Sequence, residues 1–433
     1  MWYNPCMNVN LLPYAGKTIC VACSGGRDSV ALLHYLICHA SEHSITLCAL
    51  NCDHGIRGEE SAKDSAFVAD YCSSHGVPLL TFKAQGFSGE AEARSWRHEC
   101  YLKAARHFGA VIATAHHLND NAETVLFNLA RGSALSGMCG ITEGVVTVPS
   151  HGGEAQITLI RPLISCTRAE IDEYVVANAL PYVEDSTNSS NEYTRNYIRH
   201  DVLPRLERAV PGAAGAIFRF SRLAARDEEY LNRQAVRLVG RKPNVTFIAD
   251  CREPALFSRA AVMAVRGEGK ADYTSSHTDA LFALQSAKPG KRFCFLGLTA
   301  WKEEGRIAVC RDVAQPAPMP FSFGNFEYGG IPVAISRAPF SGVKSLCFDV
   351  ARLPAESVIR TRLPGDKFTK FGGGTTALGD YFTDKKIPPR LRDRLPVIAC
   401  GNVVYIICGV EISDKVKITS DTSAAGYVAC EFI

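Results

Sequence analysis

Val21-Ala22-Cys23-Ser24-Gly25-Gly26-Arg27-Asp28-Ser29-Val30-Ala31-Leu32-Leu33 joins a short apolar run to an amphipathic one through a pair of glycines. Lys17 to Cys23 has almost no polar alternation, which predicts a parallel strand covered on both faces. Val30, Leu33, Leu36 and Ile37 recur at helical spacing, so a helix opens at Asp28 and Ser29. Gly25 and Gly26 allow a sharp turn between the two and bring backbone N–H groups close to an anion. The positive end of the helix faces the same spot, and the stretch is expected to hold phosphate.

The loop is neither GxxxxGK[ST] nor GxGxxG. Its form, Ser-Gly-Gly-x-Asp-Ser, resembles the PP-loop of ATP pyrophosphatases, which split ATP between its first and second phosphates and pass AMP to an acceptor. ATP is therefore the expected cofactor, with Ser24, Gly25, Gly26, Arg27, Asp28 and Ser29 around its phosphates.

Outward from this loop, Ile45 to Asn51, Pro78 to Lys83 and Ala110 to Ala115 are further short apolar runs, each followed by a helical pattern. That rhythm predicts an α/β fold, an open parallel sheet with helices on both faces, whose ligands bind beyond the carboxyl ends of the strands. The residues following each strand are thus the candidates for chemistry. After the second come Asp53, His54 and Arg57; after the fourth come His116, His117, Asn119, Asp120 and Glu123. Asp120 and Glu123 fall three apart on a helix and share a face, an arrangement suited to Mg2+ bridging phosphates or to the ammonium of an amine substrate. Zinc would require further His or Cys ligands at defined spacing, and none is evident. A third cluster runs from Glu184-Asp185-Ser186-Thr187-Asn188 to Arg195 and Arg199, whose one-turn spacing suits two phosphates, or a phosphate and a carboxylate.

In combination, SGGRDS, DHGIRGEES, HHLNDNAET with Arg131-Gly132, EDSTN and RNYIR resemble the tRNA(Ile)-lysidine synthetases, and the resemblance runs through the whole chain. It implies lysine ligation to C2 of the wobble cytidine of an isoleucine tRNA with anticodon CAU, through an adenylated cytidine. Asp28, Asp120 and Glu123 become the expected catalytic carboxylates. Asp28 would also hold Mg2+, while Asp53, His54, Arg57, His116 and Arg199 would contact the nucleotide. tRNA(Ile) and L-lysine are the implied partners, with a homodimer as the assembly to consider. The usual HHxDDQxET reads here with Asn119 at the first acidic position and Asn121 at the glutamine, so Asn119 leaves the acidic set.

The division expected is a PP-loop domain over 1–210, a helical tRNA-recognition domain over 211–314 and, after the proline-rich linker 315–320, a mixed α/β tRNA-binding domain over 315–433. Gly140 to Leu159 reads as a loop. The last segment carries Arg362-Leu363-Pro364-Gly365-Asp366-Lys367-Phe368 and a basic run from Lys385 to Arg394, which make Lys367, Lys385, Lys386 and Arg390, with Arg195 from the third cluster, the expected tRNA contacts.

Composition sets outer bounds. A net charge of +3 over 433 residues leaves nucleic-acid contact to local patches rather than a bulk basic field. Seventeen irregularly spaced cysteines read as reduced core thiols of a cytoplasmic protein, and neither a signal peptide nor a membrane span is evident. Two rivals share the loop. A tRNA thiolase would need paired reactive cysteines, and Cys20 and Cys23 form the single CxxC; an inactive nucleotide-gated RNA-binding protein would lack Asp120 or Glu123, and both are present.

Overall fold

A computed structural model describes residues 7, 9–55, 59–84, 87, 89–150, 153–184, 194–270, 272–312 and 314–430. Contacts divide the chain into two compact units, Met1–Glu229 and Tyr230–Ile433.

In the first unit the four apolar runs are strands: β1 (Thr18–Ala22), β2 (Thr46–Asp53), β3 (Leu79–Lys83) and β4 (Val111–Ala113). They alternate with α1 (Arg27–His39), α2 (Glu59–Ser74), α3 (Glu90–Phe108) and α4 (Leu118–Ala130). After α5 (Leu135–Met138), β5 (Gly144–Ser150) and β6 (Gly153–Ile160) complete a six-stranded sheet in the order β3-β2-β1-β4-β6-β5. Only β5 runs antiparallel, against β6. The stretch from Gly140 to Leu159, expected as a loop, is largely this hairpin. Val148 on one strand and Ile157 and Leu159 on the other alternate with polar neighbours and bury one face, a period-2 signal masked by the glycines between them.

Both faces of the sheet are covered. Ile19 and Val21 pack with Leu32, Leu33 and Leu36, whereas Cys20 between them points into a second cluster with Leu50, Tyr101 and Ile112. This two-sided burial explains why β1 reads as an unbroken apolar run. Chain order reverses between β1 and β4, and that switch point is where such sheets bind ligands. The loops after β1 and β4 carry the two most distinctive motifs, so strand order alone brings them together. The unit continues through α6 (Arg168–Ala177), α7 (Thr194–Tyr197), a π-helical turn at Ile198–Val202, α8 (Leu203–Ala209) and α9 (Ala213–Val236), which from Tyr230 onward belongs to the second unit.

Residues 211–314, read as helical, do contain α10 (Pro254–Gly267) and α11 (Ser275–Leu284) besides α9. They also build a five-stranded antiparallel sheet, β7-β8-β11-β10-β9, from Val239–Lys242 (β7), Val245–Ala249 (β8), Arg292–Phe295 (β9), Leu298–Glu303 (β10) and Arg306–Arg311 (β11). These strands are only four to six residues long and flanked by charges, so their alternation is outweighed by the longer helical periodicity. Beyond them lie a seven-stranded and a four-stranded sheet. Their strands include Ile331–Ser336, Val358–Arg360, Val397–Cys400 and Val403–Ile407. Within the expected linker, Met319–Pro320 pairs with Val358 and Ile359 at a sheet edge, where a residue without an N–H is tolerated.

The RLPGDKF stretch has a structural account. Arg360 donates from Nη1 and Nη2 to the two oxygens of Asp366, each at 2.8 Å, and the Leu363 N–H donates to the same carboxylate at 2.8 Å. Both side chains are buried. Removing one member strands the other charge in the interior, a loss of about 3–5 kcal/mol. Asp366→Ala is therefore expected to lower the melting temperature of the full chain by several degrees, and calorimetry returning an unshifted transition would refute the pairing.

Candidate active site: an anion cradle beside paired carboxylates

The cradle is made by the turn from β1 into α1. Gly25 sits at φ +85°, in the left-handed region, and a Cβ there would lie 3.3 Å from Val68 Cγ2 and 3.4 Å from Phe67 Cδ1. Its carbonyl accepts the Val183 N–H at 2.9 Å. Gly26 caps α1. The Ser29 hydroxyl donates back to the Gly26 carbonyl at 2.8 Å and accepts the Ser24 N–H at 3.2 Å, so the turn is braced from inside. Beneath it, buried Asn51 donates to the Cys23 carbonyl at 2.8 Å and accepts from Ser65 at 2.9 Å. The first turn of α1 is left facing outward over a rigid base, as an anion site requires.

From the cradle a chain of alternating charges runs to the carboxylate pair. Arg27 Nη1 donates to Asp172 Oδ1 at 2.7 Å, and Asp172 also holds Arg168 Nε, 3.1 Å away. Arg168 Nη1 lies 3.0 and 3.1 Å from the two oxygens of Asp28. Burial raises the Asp28 carboxyl above its ordinary range, while Arg168 and His117 act in the opposite direction. Next in line is His117, the N-cap of α4. Its Nδ1 accepts the Asn119 N–H at 3.2 Å, which leaves the hydrogen on Nε2, 3.9 Å from Asp28 and 3.4 Å from Asp120. Asp120 Oδ2 accepts the His117 N–H at 3.0 Å, closing a capping box, and its Oδ1 receives Arg199 Nη2 at 3.0 Å. Arg199 also donates to Glu123, from Nε to Oε1 and from Nη2 to Oε2, both at 2.9 Å. Glu123, 2 % exposed, raises the Arg199 guanidinium above its ordinary range. The π-helical turn supplies Arg199 to this position, a local irregularity often found at functional sites.

Asp28, Asp120, Glu123, His117 and Arg199 are thus brought together. Asn119 has a place of its own: its Oδ1 accepts the Arg168 N–H at 3.0 Å, so a neutral amide docks the start of α6. Asn121 donates to Ser221 and accepts the Ile141 N–H, a buried structural role. Asp53 is buried at the end of β2 and accepts the Gly55 N–H at 2.9 Å. His54 stands edge-on to Phe87 and Trp96, and burial, with Arg97 nearby, lowers its imidazole. His116 is exposed, with Nδ1 2.8 Å from Thr114 Oγ1. Arg57 and Asp185 to Asn188 lie outside the described residues. Sequence reading missed Arg168 and Asp172. The signal available was the Thr167 and Glu170 capping box, which marks Arg168 as the first residue of a helix.

The expected tRNA contacts differ in exposure. Lys367 and Lys386 are exposed, and Arg195 Nη2 donates to Thr124 at 3.3 Å. Lys385 pairs with Glu411 at 2.8 Å. Arg390 is not presented to solvent: its side chain is 9 % exposed, its Nε meets Glu303 Oε1 at 2.7 Å and its guanidinium covers the Phe247 ring. Cys20 and Cys23 are both buried, and neither is in a disulfide. Among the described residues no helix is long and apolar enough to cross a membrane.

Comparison with known proteins adds the following. Residues 6–206 match the PP-loop domain, and residues 358–428 match the TilS substrate C-terminal domain. The tRNA(Ile)-lysidine synthase of Symbiobacterium thermophilum is 31% identical over 442 residues, spanning 91% of this chain and 90% of that protein. The enzyme of the same name from Parabacteroides distasonis is 30% identical over 434 residues, with 94% of each chain covered. That of Caldanaerobacter subterraneus is 29% identical over 446 residues, 94% of this chain and 92% of its own.

Proposed function

This chain belongs to the tRNA(Ile)-lysidine synthase family, and from that membership we propose that it ligates L-lysine to C2 of the wobble cytidine of an isoleucine tRNA bearing the anticodon CAU. In the first step cytidine O2 attacks the α phosphorus of ATP. The O2–P bond forms as the bridge to the β phosphorus breaks, and pyrophosphate leaves with the electron pair. In the second, lysine Nζ bonds to C2 and AMP departs carrying O2.

The observation that carries this reading is the single guanidinium of Arg199 on both Asp120 and Glu123, next to the phosphate cradle. Two carboxylates arranged to hold one cation suit a lysine ammonium, and an acceptor there can take the proton that Nζ must lose before attack. The N–H groups from Ser24 to Ser29 would meet the charge developing on the leaving pyrophosphate. Asp28 fits Mg2+, which is commonly held through one or two carboxylates together with substrate phosphates. Such an ion, when bound, would neutralise phosphate charge.

We propose a functional division into catalysis over 1–210, tRNA recognition over 211–314 and tRNA binding over 315–433, whose first and last parts the matches at 6–206 and 358–428 support. The test is incubation with ATP, Mg2+, labelled lysine and an isoleucine tRNA transcript carrying CAU, beside a methionine tRNA. Label is expected in the first transcript alone, with AMP and pyrophosphate released. Label in neither, or equally in both, refutes the assignment.

A further inference from the structure

Arg168 stands at the mouth of the cradle without being part of the loop. Its Nη1 spans both oxygens of Asp28, the second residue of α1, at 3.0 and 3.1 Å. Its Nε is tied to Asp172 one helical turn along α6, and its backbone N–H is fixed by Asn119. The side chain is 38% exposed, so the guanidinium is anchored from behind and open in front. This is the geometry of a cation positioned for a ligand, because the Asp172 contact fixes the stem while the Asp28 contact can be exchanged. A triphosphate entering the cradle brings several negative charges to the place where Asp28 now supplies one. A planar fork of donors matches phosphate oxygens as well as it matches a carboxylate.

We infer that Arg168 is a catalytic residue that transfers from Asp28 to the β and γ phosphates of ATP and then holds the departing pyrophosphate. The transfer also frees the Asp28 carboxylate. No bond is made or broken by Arg168 itself: pyrophosphate takes the electron pair of the bridging bond, and the guanidinium balances the charge that appears there. The inference rests on the ATP reading above and adds a residue outside the loop to it.

The experiment measures binding of ATP, AMP and inorganic pyrophosphate to the full chain by equilibrium dialysis, for the wild type, Arg168→Gln and Arg168→Lys. Arg168→Gln is expected to weaken ATP and pyrophosphate by about tenfold or more while AMP stays within about twofold, since a charge-assisted contact to the outer phosphates is lost. Arg168→Lys is expected to fall between, retaining charge without the fork. A merely structural role would weaken ATP and AMP alike, and that result, or no change in either, overturns the inference. If Arg168→Gln does not fold, the ATP-to-AMP ratio for Arg168→Lys decides the matter in the same way. A wild-type protein that binds ATP but modifies no tRNA would refute the proposed function while leaving this comparison intact.

Discussion

Asp120→Asn is expected to lower lysine incorporation into tRNA by about 10³-fold, the scale of a lost acid–base group, while tRNA-dependent exchange of pyrophosphate into ATP survives. The substitution is chosen because Asp120 does two things. Its Oδ2 caps α4 by accepting the His117 N–H, and its Oδ1 shares Arg199 with Glu123. An asparagine carbonyl can still accept the cap hydrogen bond, so the helix start is kept and only the negative charge is removed. Asp120→Ala would also lose the cap, at about 1 kcal/mol, and mix the two effects. The half-reactions should therefore separate, since on the proposed mechanism adenylation would use the cradle and amine transfer the carboxylate pair. Turnover of Asp120→Asn within a few-fold of wild type, measured with labelled lysine, would eliminate this role for Asp120.

Gly25→Ala is expected to weaken ATP binding by about tenfold or more, whereas Gly26→Ala is expected to retain it. Gly25 occupies φ +85°, where an L side chain costs about 1–2 kcal/mol, and its Cβ would press on Val68 at 3.3 Å. The backbone relieves both by rotating, which turns the neighbouring N–H groups away from the anion. Every 1.4 kcal/mol so lost is about tenfold in affinity. Gly26 has φ −71° and ψ 158°, ordinary extended backbone, and a Cβ there would meet only Ser24 Oγ at 3.5 Å. The two glycines look interchangeable in the motif and differ in what they must do. Equilibrium dialysis of ATP against both variants checks the contrast, and equal behaviour would refute the account of the turn.

What could be read from the chain was local. The strand before the loop, the helix after it and the shared face of Asp120 and Glu123 follow from spacings of a few residues. Strand order then brought the two motifs to one crevice. What stayed hidden depended on partners far away in sequence. Arg168 meets Asp28 across 140 positions, and no local pattern announces it. Arg390 looks like part of a solvent-facing basic run until Glu303, 87 positions away, takes its guanidinium. The hairpin from Gly144 to Ile160 and the short strands after Val239 were obscured for a different reason, since brief alternation among glycines and charges is weaker than the helical periodicities beside it.

The alternating series from Arg27 to Glu123 links three guanidiniums to four carboxylates, with His117 bridging its middle. A pocket so composed already contains its own counter-ions. Substrate entry is then closer to ion exchange than to simple addition: a phosphate oxygen that captures an arginine releases a carboxylate, and the released carboxylate has to find another positive partner. Anion uptake at one end of the series and cation uptake at the other are in this way tied to one electroneutrality condition, imposed by the fold before any substrate arrives.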